Sequence, residues 1–569
     1  MTAALSTLRL LPAAAVVAVL LTAAHAFAAD VVDPLNKREP ARPGFLPAAP
    51  TEPFVLPPVE RRPLPPDATG QDRKFVEQIV FRDNTAIPTS ELDAIAAPYR
   101  GRLVGAAEVE ELRQALTRHY IEQGYINSGA LLDPDAPERT LAFRIVEGRI
   151  SAVRLRGMDS LDDAYVADRL LRAGDGPANI DALRERFQML LSDPLIGRMN
   201  ARLLPGDRPG EAILDIDVVR ARPYQVIAYY NNYHSPAIGS EFAGIAGSVT
   251  NLTGRGDRLD VSYQDSVESP AGGWGSVAWS VPLNFSGTSF NVQAQHIKSA
   301  VVEYPLDSLN IRSTLDIVDV GLSQIVFETL RQRFAVGVNG IYRQNSTTLL
   351  GEPFSFVPSE PDGTTRATTL RLWQEYAYRL EDQVLALRST FNFVRDNLQT
   401  IEGAPPAPHP DTRYGYWLGQ AQYARQVLDN GAQVVLRGTL QATGDRLLPL
   451  DLIPVGGVYT VRGYRENQIV RDTGAVFNAE FHYPVLQQPR HGVGALLFPF
   501  FDWGKGRNQG ESGTILSSYG LGARVNWKGV QLEVSKAWRL IHPAILDRLS
   551  GTAQDRGVNF QVTWTFFGV

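Results

Sequence analysis

The sequence predicts a transmembrane β-barrel preceded by two small α+β modules. Residues 223–569 hold short runs in which apolar residues alternate with small or polar ones, and no convincing helical period appears there. Residues 74–149 and 150–222 instead show one order of strands and helices twice. After the first 28 residues, no segment reaches the roughly 20 uninterrupted apolar residues that a membrane-spanning helix needs. Strands are therefore expected to cross the membrane.

The first 28 residues are predicted to be a signal peptide. Arg9 is the lone charge ahead of an apolar run from Leu10 to Ala24. The segment Ala26-Phe27-Ala28 then offers small residues at the two positions that a signal peptidase reads, so cleavage is expected after Ala28. A membrane anchor is the alternative, but the apolar run is short for one and ends in a cleavable sequence.

Residues 29–73 are predicted to be a proline-rich periplasmic linker. Eleven prolines lie between Pro34 and Pro66, and no hydrophobic period of either kind accompanies them. Such a composition favours an extended spacer. A peptide that docks in the pore is the alternative interpretation.

The two predicted modules each follow the order β-α-α-β-β. In the first, the pattern predicts strands over 75–81, 130–133 and 139–147, a short helix over 91–97, and a longer helix that ends near Gly124. In the second, it predicts strands over 152–156, 199–204 and 212–218, a helix over 161–171, and a further helix. The apolar stripes of the two longer helices are Val109, Leu112, Leu116 and Tyr120 in one module, and Ile180, Leu183, Phe187 and Leu190 in the other. The matching order and spacing indicate a repeat of about 70 residues.

The barrel prediction depends on strands with one apolar and one polar face. Apolar residues occupy every second position in several runs, and small or polar residues lie between them. Examples are Leu259, Val261 and Tyr263; Val277, Trp279 and Val281; Phe290, Val292 and Ala294; Phe334, Val336 and Val338; and Val434 and Leu436. The last eleven residues, 559–569, form an aromatic alternating run typical of a closing strand. A soluble β-sandwich also alternates, but so long a region with Tyr and Trp at strand ends favours a membrane barrel.

Composition and motifs predict a protein that is not an enzyme. The chain has no cysteine, which excludes disulfides, thiol chemistry and thiolate metal sites. Its net charge of −6 argues against nucleic-acid binding. The eight histidines are scattered without metal-binding spacing, and no nucleophile elbow or nucleotide-binding loop occurs. We therefore expect no catalytic residue, cofactor, metal site, nucleotide or nucleic acid.

Two motifs in the barrel region resemble the pair that marks the Omp85 superfamily. The first is the tetrad Val461-Arg462-Gly463-Tyr464, and the second contains Phe500, Asp502 and Gly504. The resemblance implies that the tetrad lies at the tip of a long extracellular loop folded back into the barrel lumen. It also implies that Arg462 pairs with Asp502 on a barrel strand. A bidentate charge-assisted pair of this kind would hold an otherwise floppy loop in place.

With two modules ahead of it, the barrel resembles the two-partner secretion transporters, the hemolysin-activation and filamentous-hemagglutinin transporter family. The modules are similar to POTRA domains. The resemblance implies a 16-stranded barrel in the outer membrane of a Gram-negative bacterium, with the modules in the periplasm and membrane lipid around the barrel. It implies that a large adhesin- or hemolysin-like exoprotein is recognised through its N-terminal secretion domain and translocated unfolded to the cell surface. Family members often begin with a pore-plugging helix, for which residues 30–70 are too rich in proline.

The resemblance also suggests where the exoprotein binds. An extended peptide can add to a free sheet edge beside an apolar groove. In the first module this implicates the edge and groove residues Leu112, Leu116, Ser128, Ala130 and Leu132, although they also suit the core of the module.

Two other functions are alternatives for a barrel of this kind. The first is an Omp85-type factor that assembles other outer-membrane proteins, which is disfavoured because such factors usually carry five modules. The second is a diffusion porin or a ligand-gated nutrient channel, which would explain neither the repeats nor the tetrad.

Overall fold

The structure is a computed structural model, and it describes residues 45, 54–55, 73–171, 176–267, 272–357, 360–398, 410–488, 492–542 and 551–567. The predicted signal peptide and nearly all of the predicted linker lie outside these residues. No helix in the described part of the chain is long and apolar enough to cross a membrane. The chain divides into two compact units, residues 48–222 and residues 1–47 with 223–569. The division at 222/223 coincides with the predicted start of the barrel.

The first half of the unit 48–222 has the predicted β-α-α-β-β order with one extra short strand. Its elements are β1 (Phe54–Val55), β2 (Lys74–Val76), β3 (Gln78–Arg82), α1 (Thr89–Ala96), β4 (Arg102–Val104), α2 (Ala106–Glu122), β5 (Gly129–Asp133) and β6 (Thr140–Val146). The predicted strand 75–81 is two strands, because β2 pairs with β4 whereas β3 pairs with β6. The sheet order is β3-β6-β5, so β5 lies at an edge.

The second half repeats this arrangement. Its elements are β7 (Arg149–Arg156), α3 (Asp163–Leu170), α4 (Ile180–Leu191), β8 (Ile196–Pro205) and β9 (Glu211–Arg220). The sheet order β8-β9-β7 places β8 where the first half has β5. The edge of β8 differs in one respect, since β1 pairs with it in parallel, Phe54 opposite Ala201 and Val55 opposite Arg202.

The apolar stripes predicted for the two long helices form the cores of the two halves. Leu112, Leu116 and Tyr120 of α2 have no exposed surface and pack with apolar residues of β3 and β6. In α4, Ile180, Leu183, Phe187 and Leu190 are all buried. The N-cap Asn179 accepts hydrogen bonds from the backbone N–H groups of Asp181 and Ala182 at the start of α4.

Residues 223–567 fold into a closed antiparallel barrel. Its strands are β10 (Tyr224–Asn231), β11 (Phe242–Thr250), β12 (Arg258–Ser266), β13 (Gly273–Pro282), β14 (Thr288–Ala300), β15 (Arg312–Glu328), β16 (Gln332–Leu349), β17 (Glu352–Pro353), β18 (Thr364–Arg379), β19 (Gln383–Asp396), β20 (Arg413–Gln426), β21 (Gln433–Ala442), β24 (Thr473–Gln488), β25 (Val493–Arg507), β26 (Thr514–Trp527), β27 (Val530–Arg539) and β28 (Val558–Phe567). Strands β22 (Ile453–Val455) and β23 (Ile469–Arg471) form a separate hairpin. The two-residue β17 only extends β16, which also pairs with β18, so sixteen strands form the wall. The wall closes where β28 pairs with β10. This confirms the strand number that the resemblance implied.

The two faces of the wall confirm the predicted alternation. Val261 and Tyr263 are about half exposed on the outer surface, at 46% and 54%, whereas Gln264, the next residue along β12, is buried. The inner face carries polar side chains such as Arg343 and Asn392. An apolar exterior around a polar lumen is the arrangement that a lipid-facing barrel requires.

The two ends of the barrel differ in the length of their connections. At one end the strands are joined by short turns such as 329–331, 380–382 and 528–529. At the other end the connections are longer, and the longest is 443–472. Short turns face the periplasm in such barrels. The chain also enters β10 from residue 223 at the short-turn end.

Candidate functional site

The candidate site is the connection 443–472, which we call the lumen loop, together with the inner wall that it contacts. The hairpin β22–β23 forms its two legs, and the tetrad 461–464 lies near its tip. Val455, Val461 and Tyr464 are almost fully buried against Val476 of β24 and Leu516 of β26. A loop buried among inward-facing residues of the wall lies inside the barrel, as the resemblance implied.

The structure brings Arg462 and Asp502 together as predicted. The Arg462 side chain donates from Nε to Asp502 Oδ2 and from Nη2 to Asp502 Oδ1, both at 2.7 Å. The Arg462 backbone N–H adds a third hydrogen bond to the same carboxylate at 3.0 Å. Asp502 is fully buried and the Arg462 side chain is 4% exposed. This is the bidentate geometry that arginine, and not lysine, can provide.

The two other tetrad residues on the C-terminal side fix the direction of the loop. Gly463 has φ +90°, and a Cβ atom there would lie 3.0 Å from the Cβ of Ala537 on β27. A side chain is therefore disfavoured by both the backbone conformation and the space. The Tyr464 hydroxyl donates to the carbonyl oxygen of Ile541 at 2.5 Å and accepts from the Ser517 N–H at 3.2 Å. Both contacts attach the tip of the loop to backbone atoms.

The partner motif supplies a surface onto which the loop packs. The Arg462 guanidinium lies over the Phe500 ring, with Cζ 3.5 Å from the ring centroid. A Cβ atom at Gly504 would lie 2.4 Å from Val455 Cγ1 and 2.9 Å from Val461 Cγ2. Gly504 thus leaves the room that the two valines occupy. All seven predicted residues of the tetrad and its partner motif meet in one place.

Sequence reasoning missed a second carboxylate at this pair. Glu480 Oε1 lies 2.8 Å from Arg462 Nη1, and the same carboxylate also pairs with His482 and Arg437. Asn478 donates to Asp502 Oδ1 at 2.8 Å. The alternation of Asn478, Glu480 and His482 with Phe477, Ala479 and Phe481 was the signal available, since it places the three polar residues on the lumen side of β24. Arg462 therefore binds two carboxylates, those of Asp502 and Glu480, and belongs to a network of polar side chains.

A second anchor, also missed, holds the other leg of the lumen loop. Asp451 receives Nη1 and Nη2 of Arg343 on β16, each at 2.8 Å. The hydroxyl groups of Tyr414 and Tyr416 on β20 donate to the same carboxylate at 2.5 and 3.0 Å. The side chains of Arg343 and Asp451 are 2% and 0% exposed. No short motif surrounds Asp451, so only the fold identifies its partners.

A third anchor joins the loop to the long-connection end of the barrel. Arg465 donates from Nη1 to Glu303 at 2.8 Å and from Nη2 to Asp555 at 2.8 Å. Glu303 lies in the connection 301–311, and Asp555 in the segment 551–557 that precedes β28. Burial raises the pKa of Asp555, but its hydrogen bonds from Arg465 and Thr552 outweigh this and lower the pKa below the ordinary value. One arginine therefore connects the lumen loop to two other connections at this end.

The residues predicted to bind the exoprotein fall into two groups. Leu112, Leu116, Ser128 and Ala130 are buried in the first α+β half, whereas Leu132 is 43% exposed on the edge strand β5. The Ala130 N–H donates to Thr117 Oγ1 at 3.1 Å, and its carbonyl accepts from Arg113 Nη1 at 3.3 Å. The four buried residues thus do not line an open groove, which corrects that part of the prediction. These four residues instead belong to the packed interior of this half, and of the five predicted residues only Leu132 is exposed.

One residue of the predicted linker, Phe45, contacts the inner wall of the barrel. Phe45 packs against Val384, Ala424 and Val435, which face the lumen near the short turns. This contact is what the alternative interpretation of the linker, as a segment that docks in the pore, would require.

Among the described residues, no group of three or more histidine, aspartate or glutamate side chains is placed to hold a metal ion.

These features define a class of protein. A sixteen-stranded barrel with an arginine of an inward-folded loop bound to an aspartate of the wall, preceded by α+β domains, is an outer-membrane protein of the Omp85 superfamily. The profile of the haemolysin secretion/activation protein family ShlB/FhaC/HecB matches residues 210–525, and that of the ShlB-type POTRA domain matches residues 75–148. The first match covers more than half of the chain, which therefore belongs to this family.

Known relatives agree with this assignment. The outer membrane transporter CdiB of Dickeya dadantii (strain 3937) is 21% identical over 510 residues, which are 86% of this chain and 87% of that protein. The heme/hemopexin transporter protein HuxB of Haemophilus influenzae (strain 86-028NP) is 23% identical, over 81% of this chain and 80% of that protein. Among solved structures, CdiB from Escherichia coli matches with a TM-score of 0.67 and 20% identity, over 89% of this chain and 93% of that chain. The chain is a two-partner secretion transporter, an outer-membrane translocator of partner exoproteins with its POTRA region in the periplasm.

Proposed function

We propose that this transporter captures the N-terminal region of a large secreted exoprotein as an extended strand on the free edge of β5, and conducts the chain unfolded through the barrel. The observation that carries the proposal is the exposed edge of β5 at Leu132, beyond Ala130, whose backbone groups are already bound by α2. Along an antiparallel edge strand, the backbone N–H and C=O groups of every second residue point away from the neighbouring strand. Those of Ala130 point away from β6, because they bind Thr117 and Arg113, and so those of Leu132 point away as well.

The equivalent edge in the second α+β half supports strand addition as the mode of capture. There β8 already pairs with the two residues of β1, which come from the chain's own N-terminal segment. We propose that this half, residues 150–222, is a second POTRA domain, since it repeats the element order and the sheet order of the first. One edge covered by an extended segment and one edge left open suit a receptor that takes one further strand.

The barrel supports transport of an unfolded chain. A wall of sixteen strands encloses an aqueous channel of limited width, and in this protein the lumen loop occupies part of it. A channel that is narrowed in this way suits an extended chain better than a folded domain. Three charge clusters hold the loop, at Asp451, Arg462 and Arg465, and we propose that the loop shifts when the exoprotein enters.

The proposal is tested at Leu132 with a pair of variants. Leu132→Pro removes the N–H that faces the open edge, while the ladder between β5 and β6 keeps its hydrogen bonds. Leu132→Ala shortens the side chain and keeps the N–H. We expect the proline variant to reduce exoprotein secretion by about tenfold, since a lost backbone hydrogen bond and its steric conflict cost roughly 1–2 kcal/mol of binding.

The measurement compares secretion at equal amounts of barrel in the outer membrane. The partner is identified as the exoprotein that is no longer found in the culture supernatant when the transporter is deleted. Resistance of residues 73–222 to limited proteolysis shows that the α+β halves stay folded. Normal secretion by Leu132→Pro, at normal abundance and protease resistance, would exclude this edge as the capture site.

A further inference from the structure

The outer surface of the barrel carries two arginines side by side, near the end with the long connections. Arg395 of β19 lies directly opposite Arg413 of β20, and Thr368 of β18 lies opposite Arg395. All three residues are exposed on the outer face. Directly opposed side chains of neighbouring antiparallel strands have Cβ atoms about 5 Å apart, and like charges at this distance destabilise the sheet. The pair therefore favours an anion between the two guanidinium groups.

No described residue supplies that anion. Neither Arg395 nor Arg413 forms an ion pair within 4.0 Å in the described part of the chain. The nearby carboxylate of Asp445 accepts a hydrogen bond from the Gly415 N–H at 2.8 Å. A third arginine, Arg366, lies on the same outer face and donates to Gln344 at 3.1 Å. Asp411, two positions before Arg413, similarly accepts a hydrogen bond from the Arg446 N–H at 2.9 Å. The three arginines therefore outnumber the two engaged carboxylates near them.

The patch borders a shallow groove with an apolar lower part. The groove has a volume of about 870 Å³, and its lining includes Arg395, Arg413 and Asp445. In the register of the sheet, the row below the arginines consists of Leu370, Phe393 and Gly415. Leu370 and Phe393 are 48% and 52% exposed on the lipid side. Because Gly415 has no side chain, this row is open beside the Phe393 ring.

The height of the patch matches a membrane interface. Twelve residue steps separate Gln383, at the short-turn end of β19, from Arg395. At about 3.3 Å per residue and a tilt of about 40°, these steps span about 30 Å along the membrane normal. This distance equals the thickness of a bilayer's hydrocarbon core. Arg395 and Arg413 therefore lie where the headgroups of the outer leaflet begin.

We propose that this surface is a binding site for a phosphorylated glycolipid of the outer leaflet, a lipid of the lipid A class. The arginine pair would bind a phosphate group with planar bidentate geometry, as guanidinium groups do. An acyl chain would lie along Leu370, Phe393 and Gly415. Asp445, near the start of the lumen loop, borders the groove, but the lining includes none of the loop's anchor residues Asp451, Arg462 and Arg465.

The test measures lipid binding by the purified full-length barrel in detergent. The variant Arg395→Gln/Arg413→Gln is compared with Lys298→Gln/Arg312→Gln, which removes two basic groups from the outer face at the same end of another wall segment. The probes are diphosphoryl lipid A, phosphatidylglycerol and inorganic phosphate. We expect the first variant to bind diphosphoryl lipid A about 30-fold more weakly, because each basic side chain at an anionic lipid surface contributes roughly fivefold.

Each outcome decides between sources of the anion. Weaker lipid A binding by the first variant alone, with phosphatidylglycerol bound weakly by all proteins, supports the site. Equal losses in both variants would mean a general attraction of basic residues to anionic lipid and would overturn the proposal. Binding of inorganic phosphate as tight as that of lipid A would also overturn it, because the apolar row would then contribute nothing.

Discussion

The wall of the barrel and the loop inside it are stabilised in different ways. Sixteen wall strands form a closed ring of backbone hydrogen bonds, in which β28 pairs with β10. In the lumen loop 443–472 only the short hairpin β22–β23 has paired strands. The remainder depends on a few side-chain contacts, above all those of Asp451, Arg462 and Arg465. Single side chains should therefore decide the position of the loop and hardly affect the wall.

The largest effect is expected at the pair Arg462 and Asp502. Arg462→Ala leaves the buried Asp502 without its cation, which costs roughly 3–5 kcal/mol locally. Asp502→Ala removes the bidentate partner of Arg462 and leaves Glu480 as its remaining carboxylate. We expect folded, heat-modifiable barrels whose secretion falls by at least about tenfold. The outward-facing neighbour Phe501→Ala is the matched control, because it changes the wall at the same height without touching the loop.

A displaced loop can be detected because the natural chain has no cysteine. Val461→Cys introduces a thiol at a position that is fully buried in the intact protein. A maleimide should label it slowly in an otherwise unchanged chain and rapidly in combination with Asp502→Ala. Slow labelling in both proteins would show that the loop stays in place without the ion pair. Additive defects in the double alanine variant would mean that the two residues are not coupled.

An intermediate effect is expected at the second anchor. Asp451→Asn keeps the size of the side chain but leaves the buried Arg343 without its carboxylate. Secretion should fall by a few-fold, less than for Arg462→Ala, since the asparagine oxygen can still accept hydrogen bonds from Tyr414 and Tyr416. Asp451→Asn/Arg343→Gln, which removes both charges, should regain part of the secretion. A double variant worse than Asp451→Asn alone would contradict a role for the charge pair.

The smallest effect is expected at Arg465, whose partners Glu303 and Asp555 are 23% and 18% exposed. Partly exposed ion pairs contribute roughly 1 kcal/mol or less and are screened by salt. Arg465→Gln should change secretion by less than about fivefold, and the change should shrink as the salt concentration rises. A loss as large as that of Arg462→Ala would instead place the main anchor of the lumen loop at this end of the barrel.

Part of the site was predictable because its signals are local. The tetrad and its partner motif are short sequences about forty residues apart, and all seven residues meet as the resemblance implied. Alternation along strands predicted which face of the wall meets lipid. By contrast, Arg343 and Asp451 are 108 positions apart, and no pattern in either strand or loop links them. The same holds for Arg465 and Glu303, which are 162 positions apart.

The sequence by itself determined the class of the protein: the repeat of two α+β modules, the alternating strands of a lipid-facing barrel and the motif pair of the lumen loop. These features follow from local periodicity and short motifs, which can be recognised in the sequence without knowing which strands pair. Only the tertiary structure decided the number of anchors on the loop, the engagement of the Ala130 backbone by Thr117 and Arg113, and the opposition of Arg395 and Arg413. Each of these depends on register and on closure of the ring, because strand pairing brings distant residues into contact according to the backbone hydrogen bonds of the whole barrel.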